Sequence, residues 1–191
     1  MTTIAVIGLG TMGLGIAQCF AQAGFDVLAT DAHAPTRDSA ADRLAQTLAA
    51  RVKTGKLSAT DCAATLARFT VVPDVTGLAQ AALAIEAIVE RIEAKHDLFA
   101  QLEGILPPQA ILATNTSSLS VTALARGLAR PERMLGLHFF NPAPVMKLVE
   151  LIPHSGTDAS AVALVRSVTE GAGKVVVSAP DRPGFIVNRC A

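Results

Sequence analysis

The sequence predicts an α/β fold, a Rossmann-type, doubly wound, mostly parallel sheet, on three observations. Short apolar runs alternate with longer helical patterns along the 191 residues, the order that gives parallel strands joined by crossover helices. A glycine-rich turn, Gly8-Leu9-Gly10-Thr11-Met12-Gly13, ends the first apolar run and opens the first helical one. An acid, Asp31, stands at the end of the second apolar run.

The elements follow in order. Thr3–Gly8 is the first strand, and a helix runs from Thr11 to Ala23, where Gly24 stops it. Val27–Thr30 is the second strand. Pro35–Lys53, rich in Ala, Leu and Arg, reads as one amphipathic helix, and Thr60–Arg68 as a shorter one. Strands are expected at Thr70–Val72 and Leu83–Ala87. A helix over Ile92–Leu106 ends before Pro107-Pro108, which cannot continue it. Ile111–Thr114 is a buried strand and Val121–Ala129 a short helix. Met134–Phe139 and Lys147–Ile152 are two more strands. Asp158–Ala172 is helical, and Lys174–Ser178 is the last strand. Gly184–Ala191 opens a further helix. The expected domain organisation is thus one nucleotide-binding unit over 1–183 and the start of a cut-off interdomain helix over 184–191.

Composition narrows the function. With 51% hydrophobic and 17% charged residues the chain is not disordered. A chain this long buries about 70% of its unfolded surface without staples. Lys+Arg and Asp+Glu are both 16, so no basic surplus exists to neutralise phosphate backbones, which argues against a general nucleic-acid binder. Cys19, Cys62 and Cys190 form neither a disulfide framework nor a metal-binding spacing, and no metal is expected. The N-terminus carries no signal-peptide pattern, and no run of about 20 apolar residues exists to span a membrane. A reducing cytoplasm is the expected compartment.

The glycine turn has a physical reading. Gly8 permits a tight turn, Gly10 lets a pyrophosphate approach the backbone, and Gly13 lets helix and strand pack closely. The helix N-terminus offers free N–H groups and a positive dipole end to the phosphates. Asp31 lies 23 residues after Gly8, where a carboxylate accepts from an adenosine ribose and repels a 2′-phosphate, favouring NAD over NADP. The competing reading is a plain glycine turn with a solvated Asp.

A second constellation is His138-Phe139-Phe140-Asn141-Pro142-Ala143-Pro144-Val145-Met146, followed by Lys147-Leu148-Val149-Glu150-Leu151-Ile152. Glu150 is an acid inside an apolar strand, and burying it alone is costly. A turn between the two strands returns Glu150 beside His138, where it can fix the imidazole tautomer and stabilise imidazolium, making His138 a general base or acid. The alternative is a satisfied core His and an edge-strand Glu. Thr114-Asn115-Thr116-Ser117-Ser118 follows a buried strand, where open α/β sheets bind ligands. Its serines equally suit helix N-capping by Ser117, Ser118 or Ser120. Glu86 and Glu90 bracket another strand end, with Lys95 five residues beyond Glu90. The alternative for these is a solvated helix start.

Taken together these segments resemble the L-3-hydroxyacyl-CoA dehydrogenase family, in particular its short-chain 3-hydroxybutyryl-CoA members. The carrying pieces are Val6–Gly13, Glu86–Glu90, Asn115-Thr116-Ser117-Ser118-Leu119, His138–Glu150 and Pro183-Gly184-Phe185-Ile186-Val187-Asn188-Arg189. Arg51–Val72 is similar to members that oxidise 3-hydroxyadipyl-CoA in phenylacetate breakdown. The resemblance implies an NAD-dependent oxidation of an acyl-CoA. His138 would be the base for the 3-hydroxyl proton and Glu150 its orienting carboxylate. Ser117 and Asn188 would hydrogen-bond the substrate near its reacting oxygen and the catalytic His, and Asn141 would be a further polar residue of the active site. Gly8, Gly10, Thr11, Met12, Gly13, Asp31, Glu90, Lys95 and Asn115 would contact NAD, and Lys53 and Lys56 the CoA phosphates, against the alternative of a solvated helix end. Family members continue into a helical C-terminal domain through which they dimerise, absent from these residues. Two other readings stay open: a non-catalytic NAD-binding protein of the same fold, and a 6-phosphogluconate-type β-hydroxyacid dehydrogenase, which shares the glycine-rich start but not His-Phe-Phe-Asn-Pro.

Overall fold

The structure is a computed structural model that describes residues 2–182 and 184–186. Its strands are β1 (Thr3–Ile7), β2 (Asp26–Thr30), β3 (Phe69–Val71), β4 (Leu83–Glu86), β5 (Ile111–Thr114), β6 (Met134–Phe139), β7 (Leu148–Pro153) and β8 (Val175–Ser178). They form one sheet in the order β3-β2-β1-β4-β5-β6-β7-β8. The first six positions are parallel; β7 runs antiparallel to β6, and β8 parallel to β7. The helices are α1 (Thr11–Gln22), α2 (Ala34–Asp38), α3 (Ala40–Lys53), α4 (Ala59–Ala67), α5 (Ile92–Ile105), α6 (Val121–Ala125) and α7 (Ala159–Gly171). The expected doubly wound, mostly parallel sheet is thus present.

Strand alternation divides the core. Ile4, Val6, Val27 and Ile85 bury one face beneath α1, α3, α4 and α7, whose contributions include Ile16, Phe20, Leu44, Leu48 and Val165. Ala5, Ile7, Ala84 and Leu112 bury the other with Leu98, Phe99 and Leu102 of α5 and Leu124 of α6. Strand order reverses around β1, which lies between β2 and β4. That places a switch point, the usual ligand crevice, above the carboxyl ends of β1 and β4.

Two helices differ from the sequence expectation. The helix expected over Pro35–Lys53 breaks at Ser39, whose hydroxyl donates to the carbonyls of Pro35 (2.7 Å) and Thr36 (3.4 Å) and competes with the helical ladder. The helix expected to reach Ala129 ends at Ala125, and Gly127 follows at φ +87°, the left-handed conformation that closes helices. The alternative of an edge-strand Glu150 does not hold, because β8 covers the outer side of β7. Of the helix expected from Gly184 on, only residues 184–186 are described, and they form a turn. Among the described residues no helix is long and apolar enough to cross a membrane.

Candidate active site

The glycine turn closes β1 onto α1. Gly8 has φ +93°, and a Cβ there would lie 2.5 Å from the Ala87 carbonyl oxygen; on Gly13 it would lie 1.7 Å from the Gly8 oxygen. Both glycines are therefore demanded by backbone packing. Gly10 differs: a Cβ there would meet nothing within 4 Å. Gly10 is also the N-cap of α1, without a side-chain cap and without an acid in the first turn. The free N–H groups of α1 thus face open space suited to an anion. Thr11 is exposed, and Met12 packs partly against the core.

Asp31 is a half-buried carboxylate anchored by two backbone N–H groups. Its Oδ2 accepts the Leu9 N–H at 2.7 Å and its Oδ1 the His33 N–H at 2.8 Å. Arg43 of α3 donates to the Leu9 carbonyl at 2.8 Å and to that of Thr36 at 2.9 Å. Both main-chain polar groups of Leu9 are thus held by charged side chains, which presets the turn. Each Asp31 oxygen retains a lone pair. An open glycine, an uncapped helix start and a fixed carboxylate together fit a dinucleotide.

Beyond β4 lies a buried charge cluster. Glu86, fully buried, accepts from the Lys95 ammonium at 2.5 Å, the Ile88 N–H at 2.7 Å and the Thr114 hydroxyl at 2.7 Å. Lys95 is 1% exposed and also meets Glu90 at 3.1 Å. Its ammonium is engaged by two carboxylates within the protein. Glu90 accepts from the Thr116 hydroxyl, the Ser117 N–H (3.0 Å) and the Ser118 hydroxyl (3.2 Å). Partial burial pushes the Glu90 carboxyl up, but the Thr116 hydroxyl, the Lys95 ammonium and the Ser117 N–H outweigh it and hold it below the usual range. Asn115 accepts the Phe139 N–H through Oδ1 at 2.8 Å, tying the end of β5 to that of β6. Ser117 is exposed beside it, and the helix N-cap is Ser120, whose hydroxyl accepts the Ala123 N–H at 3.2 Å.

His138 and Glu150 are direct cross-strand partners in the β6–β7 register, the arrangement that brings side chains within contact. His138 Nδ1 lies 2.8 Å from Glu150 Oε2, and the two residues are 6% and 1% exposed. A carboxylate only accepts, so the proton of the neutral ring is assigned to Nδ1 and the lone pair to Nε2. Nε2 has no hydrogen-bond partner among the described residues. Glu150 Oε1 accepts the Ile186 N–H at 2.9 Å. Phe140 and Phe185 pack on the imidazole, with ring centroids at 4.6 and 5.8 Å.

Asn141 begins the turn after β6 and precedes a cis peptide to Pro142. The turn rests on α1, where a Cβ on Gly15 would come within 3.1 Å of Pro144. Buried Lys174 donates to the carbonyls of Ala143 (2.6 Å) and Met146 (2.9 Å). Asn141, Thr11, Arg43 and Thr47 line a cavity of about 430 Å³ between this turn, α1 and α3. Lys53 and Lys56 are exposed at and beyond the end of α3 and do not line that cavity. Asn188 lies outside the described residues. Sequence reasoning missed Arg43, Lys174 and the Ile186 N–H, since long-range contacts to main-chain groups leave no local pattern.

Known proteins resemble this chain over nearly its whole length. The family described as "3-hydroxyacyl-CoA dehydrogenase, NAD binding domain" matches residues 3–182. The chain is 50% identical over 189 residues to a 3-hydroxyadipyl-CoA dehydrogenase of Escherichia coli, covering 99% of this chain and 40% of that one. It is 40% identical to a 3-hydroxybutyryl-CoA dehydrogenase of Bradyrhizobium diazoefficiens, covering 97% and 64%. The crystal structure of (S)-3-hydroxybutyryl-CoA dehydrogenase from Ralstonia eutropha superposes with a TM-score of 0.95 at 37% identity, covering 99% of this chain and 67% of that one. The chain spans less than two thirds of the length of these curated relatives.

Proposed function

The chain belongs to the 3-hydroxyacyl-CoA dehydrogenase family as its NAD-binding domain, with NAD as its cofactor, and from that premise we propose that it serves the reversible oxidation of an L-3-hydroxyacyl-CoA to the 3-oxoacyl-CoA. The observation that carries this reading is the buried His138–Glu150 pair at 2.8 Å, beside strand ends that also carry the glycine turn and the Asn115–Ser117 loop. His138 takes the 3-hydroxyl proton at Nε2. Glu150 keeps the ring in that tautomer and stabilises the imidazolium that forms, as a base oriented by a carboxylate requires. Ser117 and Asn188 hold the substrate near its reacting oxygen, and Asn141 is a further polar residue of the site, lining the cavity beside α1. The open backbone at Gly10, with Thr11, Met12 and Gly13 behind it, receives the cofactor phosphates, and Asp31 receives the adenosine ribose. NAD, when bound, supplies the hydride acceptor. Glu90, Lys95 and Asn115 shape the nicotinamide end by fixing the loop that carries Ser117. Lys53 and Lys56, outside the cavity, meet the CoA phosphates at the surface.

The 50% identity to a relative named for 3-hydroxyadipyl-CoA favours a short, carboxylated acyl chain, and with it phenylacetate breakdown over general β-oxidation. The test is steady-state oxidation of NADH by the complete gene product with acetoacetyl-CoA and 3-oxoadipyl-CoA. Turnover of both, with higher kcat/KM on 3-oxoadipyl-CoA, is expected. No turnover of either overturns the reading.

A further inference from the structure

We propose that Asp181 is a positioning residue for the His138–Glu150 pair: from the segment after β8 it grips the start of α6 and so fixes the backbone N–H that holds Glu150. This rests on the reading of that pair as the proton-handling site.

Four donors converge on Asp181 from 59 to 61 residues away in sequence. Oδ1 accepts the Val121 N–H at 2.9 Å; Oδ2 accepts the Thr122 N–H at 2.7 Å, the Thr122 hydroxyl at 2.6 Å and the Ser120 hydroxyl at 3.0 Å. Carboxylate bonds to helix-start N–H groups are among the stronger protein hydrogen bonds. Partial burial pushes the Asp181 carboxyl up, but the Thr122 hydroxyl and N–H, the Val121 N–H and the Ser120 hydroxyl outweigh it and hold it below the usual range.

The segment beyond Asp181 reaches the pair within five residues. Phe185 is 2% exposed, with its ring 5.8 Å from the His138 ring. Its φ is +45°, in the left-handed region that a bulky residue adopts only where the surroundings impose it. The next residue, Ile186, donates its N–H to Glu150 Oε1 at 2.9 Å. A bent, strained backbone thus presents one N–H to the carboxylate that orients the base, and the Asp181 clamp anchors the near end of that bend. The clamp also joins the two sides of the site, because α6 follows the loop that Glu90 holds at Ser117.

A merely stabilising cap on α6 would produce the same bonds, so the test separates the two. Asp181→Ala, Asp181→Asn and Ser120→Ala are compared in the complete gene product. The readouts are amide exchange at Ile186, the ring ¹⁵N shifts of His138, and the kcat and NADH KM with acetoacetyl-CoA. Asp181→Ala is expected to speed Ile186 exchange at least about tenfold by local opening. It should also lower kcat at least about tenfold, since misplacement near 1 Å costs up to about 100-fold, with the NADH KM within about twofold. Asp181→Asn, which keeps one accepting oxygen, falls between. Ser120→Ala removes the local cap of α6 but leaves three bonds on Asp181; it lowers the melting temperature, keeps Ile186 protected and holds kcat within about twofold. Unchanged Ile186 exchange in Asp181→Ala overturns the proposal, and so does an equal loss of kcat in Ser120→Ala. If the unmodified protein shows no turnover, the dehydrogenase reading falls, while Ile186 exchange still decides the role of Asp181.

Discussion

Gly10→Ala separates what the glycine turn does for folding from what it does for binding. The backbone at Gly10 has φ −64° and ψ −168°, open to any residue, and a Cβ there meets no atom within 4 Å. Two small folding terms oppose each other. Reduced freedom of the unfolded chain stabilises by about 0.4–1 kcal/mol, and alanine is a poorer N-cap than glycine by a comparable amount, roughly 0.5–1 kcal/mol. At about 2–4 °C per kcal/mol for a domain of this size, the melting temperature should move by no more than about 2–3 °C. The binding term does not cancel. A methyl group on the surface where the cofactor phosphates are proposed to approach the α1 N–H groups should weaken NADH by at least about tenfold, or 1.4 kcal/mol. Scanning calorimetry and fluorescence titration with NADH measure the two terms on the same sample. Unchanged affinity would refute the placement of the phosphates at Gly10, whatever the melting temperature does.

Other outcomes follow from the same geometry. With Asp31 receiving the adenosine ribose, as proposed, a 2′-phosphate would meet its carboxylate, so NADH should bind at least about tenfold more tightly than NADPH, about 1.4 kcal/mol; equal affinities in a competition titration would contradict this. Lys95→Met should leave Glu86 buried without a cation and cost about 3–5 kcal/mol. The double change Lys95→Met with Glu86→Leu should recover part of that in urea unfolding; no recovery would contradict an ion-pair origin. Glu90 and Asp181 are both held below the usual carboxylate range, so each contributes stability that is present above the unfolded-state value and lost as pH falls through the lower folded one. Asp181→Asn should therefore flatten the acid limb of the stability curve; an acid limb as steep as that of the unmodified protein would contradict it.

Much of the architecture was legible because its signals are local. The glycine turn, the apolar runs of β1, β4 and β5, and the paired prolines after α5 each act within a few residues. The His138–Glu150 pair was legible because twelve residues separate them, about the span of two short strand ends and a turn, and because an acid in an apolar strand asks for a partner. The break at Ser39 was not legible, since it turns on a hydroxyl bonding back to Pro35 and Thr36 where the apolar pattern continues unbroken. Nor was the burial of Lys95: its spacing from Glu90 suits a solvated helix start, and only the fold brings Glu86 beneath it. Asp181 was invisible for a further reason, as its four donors lie about 60 residues upstream.

The measurement that bears most directly on the site is the separation of turnover from cofactor binding in His138→Ala and Glu150→Gln. Glutamine at 150 keeps the shape of the side chain and an oxygen for the Ile186 N–H while removing the charge. With acetoacetyl-CoA and the complete gene product, both substitutions should lower kcat by at least about 100-fold, within the range of about 10²–10⁴ for a general base. The dissociation constant of NADH should stay within about threefold, since neither side chain belongs to the glycine turn. Turnover within about tenfold of the unmodified protein in both variants would contradict the assignment of proton transfer to this pair.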